Sequence, residues 1–362
     1  MRLRTLWQKL IDPIDPSLMT MVALLMGFAL LVVSSASPDR VGAQLVNMLV
    51  ALMVMRLVAQ MSPQKLMYFA LPVFVTGLLL LIAVAVFGDV SKGARRWLNL
   101  GFMRIQPSEI MKIAMPLMLA WYFQRHETHL RLREYLVAAL ILVLPVVLIA
   151  KQPDLGTAIL VLASGFFVIF LAGLSWKVLI GLAVSGVALA PVVWSMMRDY
   201  QRNRILTLLD PEADPLGKGF HIIQSTIAIG SGGILGKGWG QGTQAQLEFI
   251  PERHTDFIFA VLGEEFGLLG CIFLLILYAL LIGRGMMIAA NAPTLFTRLL
   301  AGSITLIFFT YAFVNMGMVS GILPVVGIPL PFVSYGGTSL TTLFLGIGIL
   351  MSIHKHRMLV QK

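Results

Sequence analysis

The sequence predicts an all-α, polytopic integral membrane protein with about ten transmembrane helices. Of its 362 residues, 58% are hydrophobic and only 12% are charged, and the mean hydropathy is +0.88. Apolar stretches of about 20 residues, the length that crosses a bilayer, recur along the chain between polar connections. No soluble globular domain needs so much apolar surface, so this composition excludes the soluble classes.

The predicted spans form one membrane domain over residues 1–362. The first span follows three cations and lacks the cleavage site of a signal peptide, which favours a retained anchor. The connection Gln152–Gly156 between the fifth and sixth spans leaves open a short re-entrant turn at this point. The spans cover approximately residues 17–36, 41–60, 66–87, 107–124, 134–151, 156–174, 176–197, 256–283, 298–320 and 338–353.

Lysine and arginine in the short connections predict the orientation. With a cytoplasmic N-terminus, the inner segments carry thirteen of these cations and the short outer loops carry six. Positive charge accumulates on the cytoplasmic side, so both termini are expected to be cytoplasmic. The segment 198–255 then forms a large extracytoplasmic loop between spans seven and eight. The cations retained on the outer face indicate an anionic ligand there, and nucleic acid is not an expected partner of this membrane protein.

The long loop is predicted to be partly helical. Residues 198–209 have the composition of an interfacial amphipathic helix, and His221–Ile229 suits a second short helix. The stretch Gly230–Gln244 contains seven glycines around Lys237. Its backbone N–H groups are suited to hold a phosphate, although flexible turns explain the glycines equally well.

A cluster of ionisable residues lies where this loop meets the eighth span. Glu252, Arg253, His254 and Asp256 fall within five positions, immediately before an apolar run. If Thr255 caps the helix, Asp256 lies in its first turn, where the helix dipole favours a carboxylate. A capping role and a catalytic role for Asp256 are both open on these residues alone.

Charged residues also occur at the starts of spans four and six. Glu109 and Lys112 share a helix face in an otherwise apolar span, where an unpaired charge costs about 2.5–3.5 kcal/mol. They form either a buried structural pair or part of the lining of a polar cavity. With the predicted topology, Glu109, Asp154 and Asp256 lie at a similar depth near the outer interface, which indicates a common site.

The first outer loop contains Arg95, Arg96 and Trp97. This triplet is typical of an interfacial anchor, with the tryptophan at the level of the lipid headgroups. In the alternative interpretation, the two arginines bind a phosphate group while Trp97 stacks on a ring of the ligand.

Three long motifs carry a resemblance to a known family. They read LLDPEADPLGKGFHIIQSTIAIGSGGILGKGW, PERHTDFIFAVLGEEFG and PLPFVSYGG. Over its whole length the chain resembles the shape, elongation, division and sporulation (SEDS) proteins, and among them the rod-shape members rather than the division members. The stretch GTQAQLEFIPERHTDF and the short N-terminal tail carry that preference.

The resemblance implies a SEDS fold and a peptidoglycan glycosyltransferase of the bacterial cytoplasmic (inner) membrane that serves cell elongation and rod shape. The implied substrate is lipid II, a disaccharide-pentapeptide on undecaprenyl pyrophosphate, which is polymerised at the outer face. The implied partners are a class B penicillin-binding protein, which cross-links the strands, and the elongation machinery. Asp256 corresponds to the family's essential aspartate, and Trp97, Glu109, Lys112 and Asp154 correspond to other sensitive positions.

The chemistry of the residues agrees with this expectation. Glycosyl transfer with inversion needs one base on the acceptor hydroxyl, a role expected of Asp256. Lipid pyrophosphate is a good leaving group, so no strong general acid is required. No cofactor is certain; a divalent Mg or Mn ion is left open, and no metal ligands are assigned. The residues expected to bind substrate are Arg95, Arg96, Trp97, Glu109, Lys112, Asp154, Lys237, Glu252, Arg253 and His254.

Two other classes of function fit part of the sequence. A lipid II flippase would account for charged residues within spans. These residues cluster at the outer level rather than at the midplane, however, and no inverted repeat is visible. A structural scaffold for cell-wall enzymes would give no reason for acids beside a glycine-rich loop. The glycosyltransferase is therefore the expected function.

Overall fold

A computed structural model describes residues 14–91, 94–99, 104–197, 199–213, 217–250 and 252–360. Of the lysines and arginines in the predicted connections and tails, Arg2, Arg4, Lys9, Lys92, Arg198 and Lys362 lie outside these residues. Ten long helices form a bundle within the described chain, close to the ten predicted spans. They are α1 Pro16–Ala36, α2 Val41–Ala59, α3 Pro63–Phe87, α4 Pro107–Arg125, α5 Leu132–Lys151, α6 Leu155–Leu171, α7 Trp176–Met196, α11 Ile258–Ala290, α12 Leu295–Val319 and α13 Thr338–Val360.

The helices begin where the sequence supplies caps. The Asp15 carboxylate accepts the Leu18 N–H at 3.2 Å at the start of α1, and Ser62, Asp154 and Thr294 cap α3, α6 and α12 in the same way. Among the described residues, eight helices are long and apolar enough to cross a membrane. The other two long helices are α6, with 17 residues, and the charge-bearing α4. The chain is therefore a multi-pass membrane protein.

The centre of the bundle consists of α4, α12 and α13. Most of α12 is buried, and α4 packs against α3, α6 and α12. At the other extreme, α7 has no buried residue and lies at the periphery. The position of a charged helix at the centre follows from the cost of lipid exposure, because a charge is tolerated there only when other groups of the protein surround it.

The helices alternate in direction, so their connections fall at two ends of the bundle. One end carries the long connections and is called the loop-rich end below. The other end, called the opposite end, carries the start of α1 and the last turns of α13. There the buried Asp15 carboxylate accepts a hydrogen bond from Arg284 at 2.6 Å and lies 3.5 Å from His354. The two ends of the described chain therefore lie on one side of the bundle, as the predicted topology requires.

The loop-rich end carries the connections after α1, α3, α5, α7 and α12. The long segment after α7 contains the two predicted helices, α8 Asp199–Leu209 and α9 Lys218–Gly232, and a short third one, α10 Thr243–Gln246. Between α3 and α4 lies an antiparallel sheet that the all-α prediction missed. Its three short strands are β1 Asp89–Ser91, β2 Ala94–Asn99 and β3 Arg104–Ile105.

The connection between α5 and α6 is a tight turn between two full helices rather than a re-entrant segment. It contains Gln152, Pro153 and Asp154, and the helices on either side pack along each other. The Gln152 amide donates to the carbonyl of Leu81 on α3 at 3.0 Å, which fixes the turn against the bundle.

Candidate active site

Asp256 lies in a turn immediately before α11, not within the helix. The prediction that Thr255 caps the helix and Asp256 occupies its first turn is wrong. The N–H groups of Thr255 and Phe257 both bond to the carbonyl of Glu252, at 3.0 and 3.4 Å. Glu252 adopts a φ of 52°, so the chain turns here, and helical residues begin only at Ile258.

Two side chains from other elements hold this turn by its backbone. Asn315 of α12 donates to the carbonyl of Asp256 at 2.8 Å and to that of Ile328 at 2.7 Å. The Ser334 hydroxyl donates to the carbonyl of Thr255 at 2.6 Å. The carbonyl groups on both sides of the Asp256 Cα are thus fixed, which positions the Asp256 side chain before any ligand arrives.

The Asp256 carboxylate faces the segment Val326–Ile328. A Cβ built on Gly327 would lie 3.3 Å from Oδ2 of Asp256, and Gly327 has a φ of 75°. Glycine therefore serves two needs at this position, a left-handed backbone and close approach to the carboxylate. Asp256 itself is half-buried, so its carboxylate remains within reach of a ligand.

Glu109 and Lys112 form the ion pair that the sequence predicted, with 2.6 Å between Nζ and Oε1. Both residues are buried, and Lys112 also donates to the hydroxyl of Tyr311 on α12. Tyr311 lies four residues before Asn315, so one face of α12 supports both this pair and the Asp256 turn. The sequence reasoning missed both α12 residues, although a lone asparagine in an apolar span was a signal for one of them.

A large groove opens between α2, α3, α4 and α13 at the loop-rich end. Its volume is about 560 Å³, and most of its lining is apolar. Glu109 contributes to its wall and Lys112 does not. The pair is thus buried and structural, the groove is largely apolar rather than the polar cavity of the alternative interpretation, and substrate contacts of Glu109 and Lys112 remain predictions. The second oxygen of Glu109 is buried and accepts no hydrogen bond from the described residues. The lining consists of Asn47, Val50, Val73, Arg104, Ile105, Gln106, Glu109, Ile110, Ile113, Gly337, Thr338, Thr341, Thr342 and Leu345.

Asp154 links the groove to the start of α6. Its carboxylate caps α6 through the Thr157 N–H at 3.2 Å and accepts a hydrogen bond from Gln106 at 3.1 Å. Two residues later, a Cβ on Gly156 would lie 2.8 Å from the carbonyl oxygen of Val326. The start of α6 and the Asp256 carboxylate therefore contact the same segment, which brings two of the three predicted acids into one region.

The arginine–tryptophan triplet lies on β2. Arg96 donates to the carbonyl of Pro153 at 2.6 Å and ties the sheet to the α5–α6 turn. The Arg95 side chain is exposed, and Trp97 is half-buried opposite Asp89. A structural role thus accounts for the contact of Arg96 with Pro153, and ligand contacts of Arg95, Arg96 and Trp97 remain predictions.

The glycine-rich segment wraps around two acids of α11 that the sequence reasoning missed. Lys237 forms an ion pair with Glu264 at 2.7 Å, and the N–H groups of Gln244 and Ala245 donate to the same carboxylate. A Cβ on Gly236 would lie 2.1 Å from the carbonyl oxygen of Glu265. These contacts favour the turn explanation of the glycines, and a substrate contact of Lys237 remains a prediction. Two adjacent acids inside an apolar span were the available signal.

The predicted residues Glu252, Arg253 and His254 line a second cavity at the loop-rich end, about 320 Å³ in volume. Burial, and after it the positive charge of Arg40, lowers the pKa of His254 below its usual range. The imidazole is therefore neutral at pH 7. The complete lining is Ser37, Asp39, Arg40, Glu248, Ile250, Glu252, Arg253 and His254.

The described residues do not fit a resident metal site. They contain no group of three or more His, Cys, Asp or Glu side chains that could hold an ion. Mg²⁺ is commonly bound by one or two carboxylates together with the phosphates of a substrate. The arrangement assigns no step to a divalent ion.

Comparison with known proteins agrees with this architecture. A family model described as FtsW/RodA/SpoVE, cell cycle protein, matches residues 16–359. Peptidoglycan glycosyltransferase MrdB of Escherichia coli K12 is 53% identical over 99% of this chain and 98% of its own length.

Two solved structures share the fold. A chain of a peptidoglycan synthase complex that coordinates polymerisation and crosslinking has a TM-score of 0.83 at 37% identity, covering 95% of this chain and 98% of that one. The rod-shape-determining protein RodA of Thermus thermophilus has a TM-score of 0.72 at 32% identity, covering 95% and 97%. The chain therefore belongs to the FtsW/RodA/SpoVE family of cell cycle proteins, the SEDS family that its motifs resemble.

Proposed function

We propose that this chain polymerises lipid II into glycan strands at the outer face of the bacterial cytoplasmic membrane, with Asp256 as the general base. That it is a peptidoglycan glycosyltransferase of cell-shape maintenance rests on its full-length similarity to MrdB and RodA. The assignment to Asp256 rests on one observation. Its carboxylate is half-buried, and its backbone is clamped by Asn315 and Ser334 at the loop-rich end.

The reaction needs one proton acceptor. The Asp256 carboxylate takes the proton of the acceptor sugar hydroxyl as the hydroxyl oxygen attacks the anomeric carbon of the donor sugar. The bond between that carbon and the pyrophosphate oxygen breaks, and undecaprenyl pyrophosphate leaves with the bonding electrons. Attack from the face opposite the leaving group inverts the anomeric centre. A clamped turn keeps the base in place through repeated cycles, which lowers the entropic cost of each transfer.

The apolar groove is suited to the lipid carrier. Apolar side chains of α2, α3, α4 and α13 line most of its 560 Å³, and Arg104 and Gln106 lie where β3 leads into α4. An isoprenoid chain would pack against the apolar part, and a guanidinium would pair with the pyrophosphate. We assign this groove to a lipid-linked substrate, with Arg104 as a phosphate contact that the sequence reasoning did not include.

The orientation and partners follow from the same proposal. The loop-rich end is extracytoplasmic and both termini are cytoplasmic, as the distribution of cations predicts. A class B penicillin-binding protein cross-links the strands, in keeping with the similarity to a chain of a peptidoglycan synthase complex. The wider elongation machinery would position this pair in the cell.

Purified protein and fluorescent lipid II test the function. The protein and its cognate penicillin-binding partner, with the partner's transpeptidase blocked by a β-lactam, should convert the substrate into a ladder of glycan chains on a gel. In parallel, vesicles containing the protein should not move lipid II between leaflets faster than empty vesicles. Rapid translocation of lipid II without any polymer would contradict the polymerase function and support the flippase function instead.

A further inference from the structure

The polar cavity of about 320 Å³ differs in kind from the apolar groove. Six of its eight lining residues are ionisable, and they come from two places, the turn after α1 and the segment 248–254. His254 lies two residues before Asp256 in the chain. The cavity is therefore adjacent to the proposed base but is chemically unsuited to a lipid chain.

The charges on the cavity wall are mixed. Glu248 and Arg253 pair with each other at 3.0 Å, and Glu252 accepts a hydrogen bond from the Thr255 hydroxyl at 3.0 Å. Asp39 and Arg40 add one charge of each sign from the turn after α1. The three carboxylates of the lining, Asp39, Glu248 and Glu252, outnumber its two guanidiniums, so the lining as a whole does not favour a pyrophosphate. A ligand that carries both carboxylate and ammonium groups is complementary to such a surface.

The cavity is preformed rather than assembled by the ligand. The guanidinium of Arg40 lies over the ring of Tyr335 at 5.2 Å, and the N–H of Tyr335 donates to the carbonyl of His254 at 2.8 Å. Arg253 donates to the carbonyl of Ala245 at 2.5 Å. Walls fixed in this way lose little entropy on binding, which favours selective recognition of a ligand.

We propose that this cavity binds the peptide that the substrate carries beside its sugars, with Arg40 pairing with a peptide carboxylate and Asp39 facing an ammonium group. The proposal rests on the proposed function, because only a peptidoglycan precursor brings a charged peptide next to Asp256. The cavity has room for roughly ten water molecules at about 30 Å³ each. It therefore holds one or two amino-acid residues of the peptide rather than the whole of it.

Binding of the soluble disaccharide-pentapeptide without its lipid tests the site independently of catalysis. Isothermal titration with the full-length protein should show binding that Arg40→Gln weakens about tenfold, the loss of one charge-assisted hydrogen bond. Lys177→Gln is the matched control, since it removes an exposed cation from the opposite end. Equal binding by wild type and Arg40→Gln, or no binding by wild type, would overturn the proposal.

Turnover gives a second readout. The substrates are lipid-linked disaccharide with the full pentapeptide and the same molecule trimmed to one uncharged residue whose carboxyl group is amidated. Arg40→Gln should raise KM about tenfold for the first and leave the second unchanged. If Arg40→Gln raised KM equally for both substrates, or raised it only when the penicillin-binding partner is added, peptide recognition by this cavity would be contradicted. If wild type makes no polymer from either substrate, the proposed function fails while the titration still decides the cavity.

Discussion

Asn315 holds Asp256 by its backbone, donating at 2.8 Å to the carbonyl of the residue that we propose as the base. The same amide group donates to the carbonyl of Ile328 at 2.7 Å. One buried side chain therefore joins the turn before α11 to the segment that faces the Asp256 carboxylate. The position of the base thus depends on a residue of α12, 59 positions further along the chain.

Replacement of Asn315 by leucine should lower both stability and activity. It leaves two carbonyl oxygens without their donor, and each such loss costs about 1–3 kcal/mol when the acceptor is buried. Unfolding midpoints in detergent and polymer yield at a temperature where the variant is folded measure the two effects. Asn291→Ala, which removes an exposed amide that donates to Met287 of its own helix, is the control and should change neither. Full activity of folded Asn315→Leu would show that the clamp is dispensable.

The buried pair of Glu109 and Lys112 should couple strongly. Lys112→Met alone leaves the Glu109 carboxylate without its cation, and breaking a buried pair costs about 3–5 kcal/mol. The double variant Glu109→Gln with Lys112→Met should therefore be more stable than Lys112→Met. Thermal unfolding in one detergent ranks the stabilities of wild type, Lys112→Met and the double variant. If all remain equally stable but lose polymerisation, the pair acts on substrate rather than on folding.

Stability should depend on the protonation of His254. Its folded-state pKa lies below the ordinary value of 6.5, so the unfolded chain binds a proton more readily. The contribution to stability is therefore complete above about pH 6.5 and is lost as pH falls through the lower, folded-state pKa. His254→Gln should show a smaller drop in unfolding midpoint than wild type between pH 7.5 and pH 5. An unchanged drop would mean that another group carries the acid sensitivity.

Cysteine labelling decides the orientation. With Cys271 replaced by serine, a cysteine at the exposed Gln241 should react with an impermeant maleimide in intact spheroplasts. A cysteine at the exposed Arg131, at the opposite end, should react only after lysis. The reverse pattern would place the loop-rich end in the cytoplasm and remove the proposed access to lipid II.

The sequence predicts the helices well because their signals are local. The position and approximate length of each span depend on a run of neighbouring apolar residues, and the ten long helices lie close to the ten predicted spans. It failed at the start of α11, where Glu252 takes a left-handed backbone conformation that no periodic pattern reveals. The sheet between α3 and α4 was missed because its strands are only two to six residues long.

The candidate site was only partly predictable for a different reason. Asp256, Glu109, Lys112 and Asp154 stand out as charges near or inside apolar spans. Their supporting residues, such as Tyr311 and Asn315, become relevant only when α12 packs against α4 and the Asp256 turn. Such long-range contacts leave no periodic signal in one sequence.

The central claim is that Asp256 accepts the proton of the acceptor hydroxyl. Asp256→Asn keeps the size and removes the basic oxygen, while the backbone contacts to Asn315 and Ser334 remain. Loss of a general base reduces the rate by about 10²–10⁴-fold. The direct measurement is gel-resolved glycan synthesis from lipid II by folded Asp256→Asn with its penicillin-binding partner under β-lactam, beside the control Asp199→Asn at an exposed position. We expect no visible polymer from Asp256→Asn and normal polymer from Asp199→Asn; near-normal synthesis by Asp256→Asn would contradict the claim.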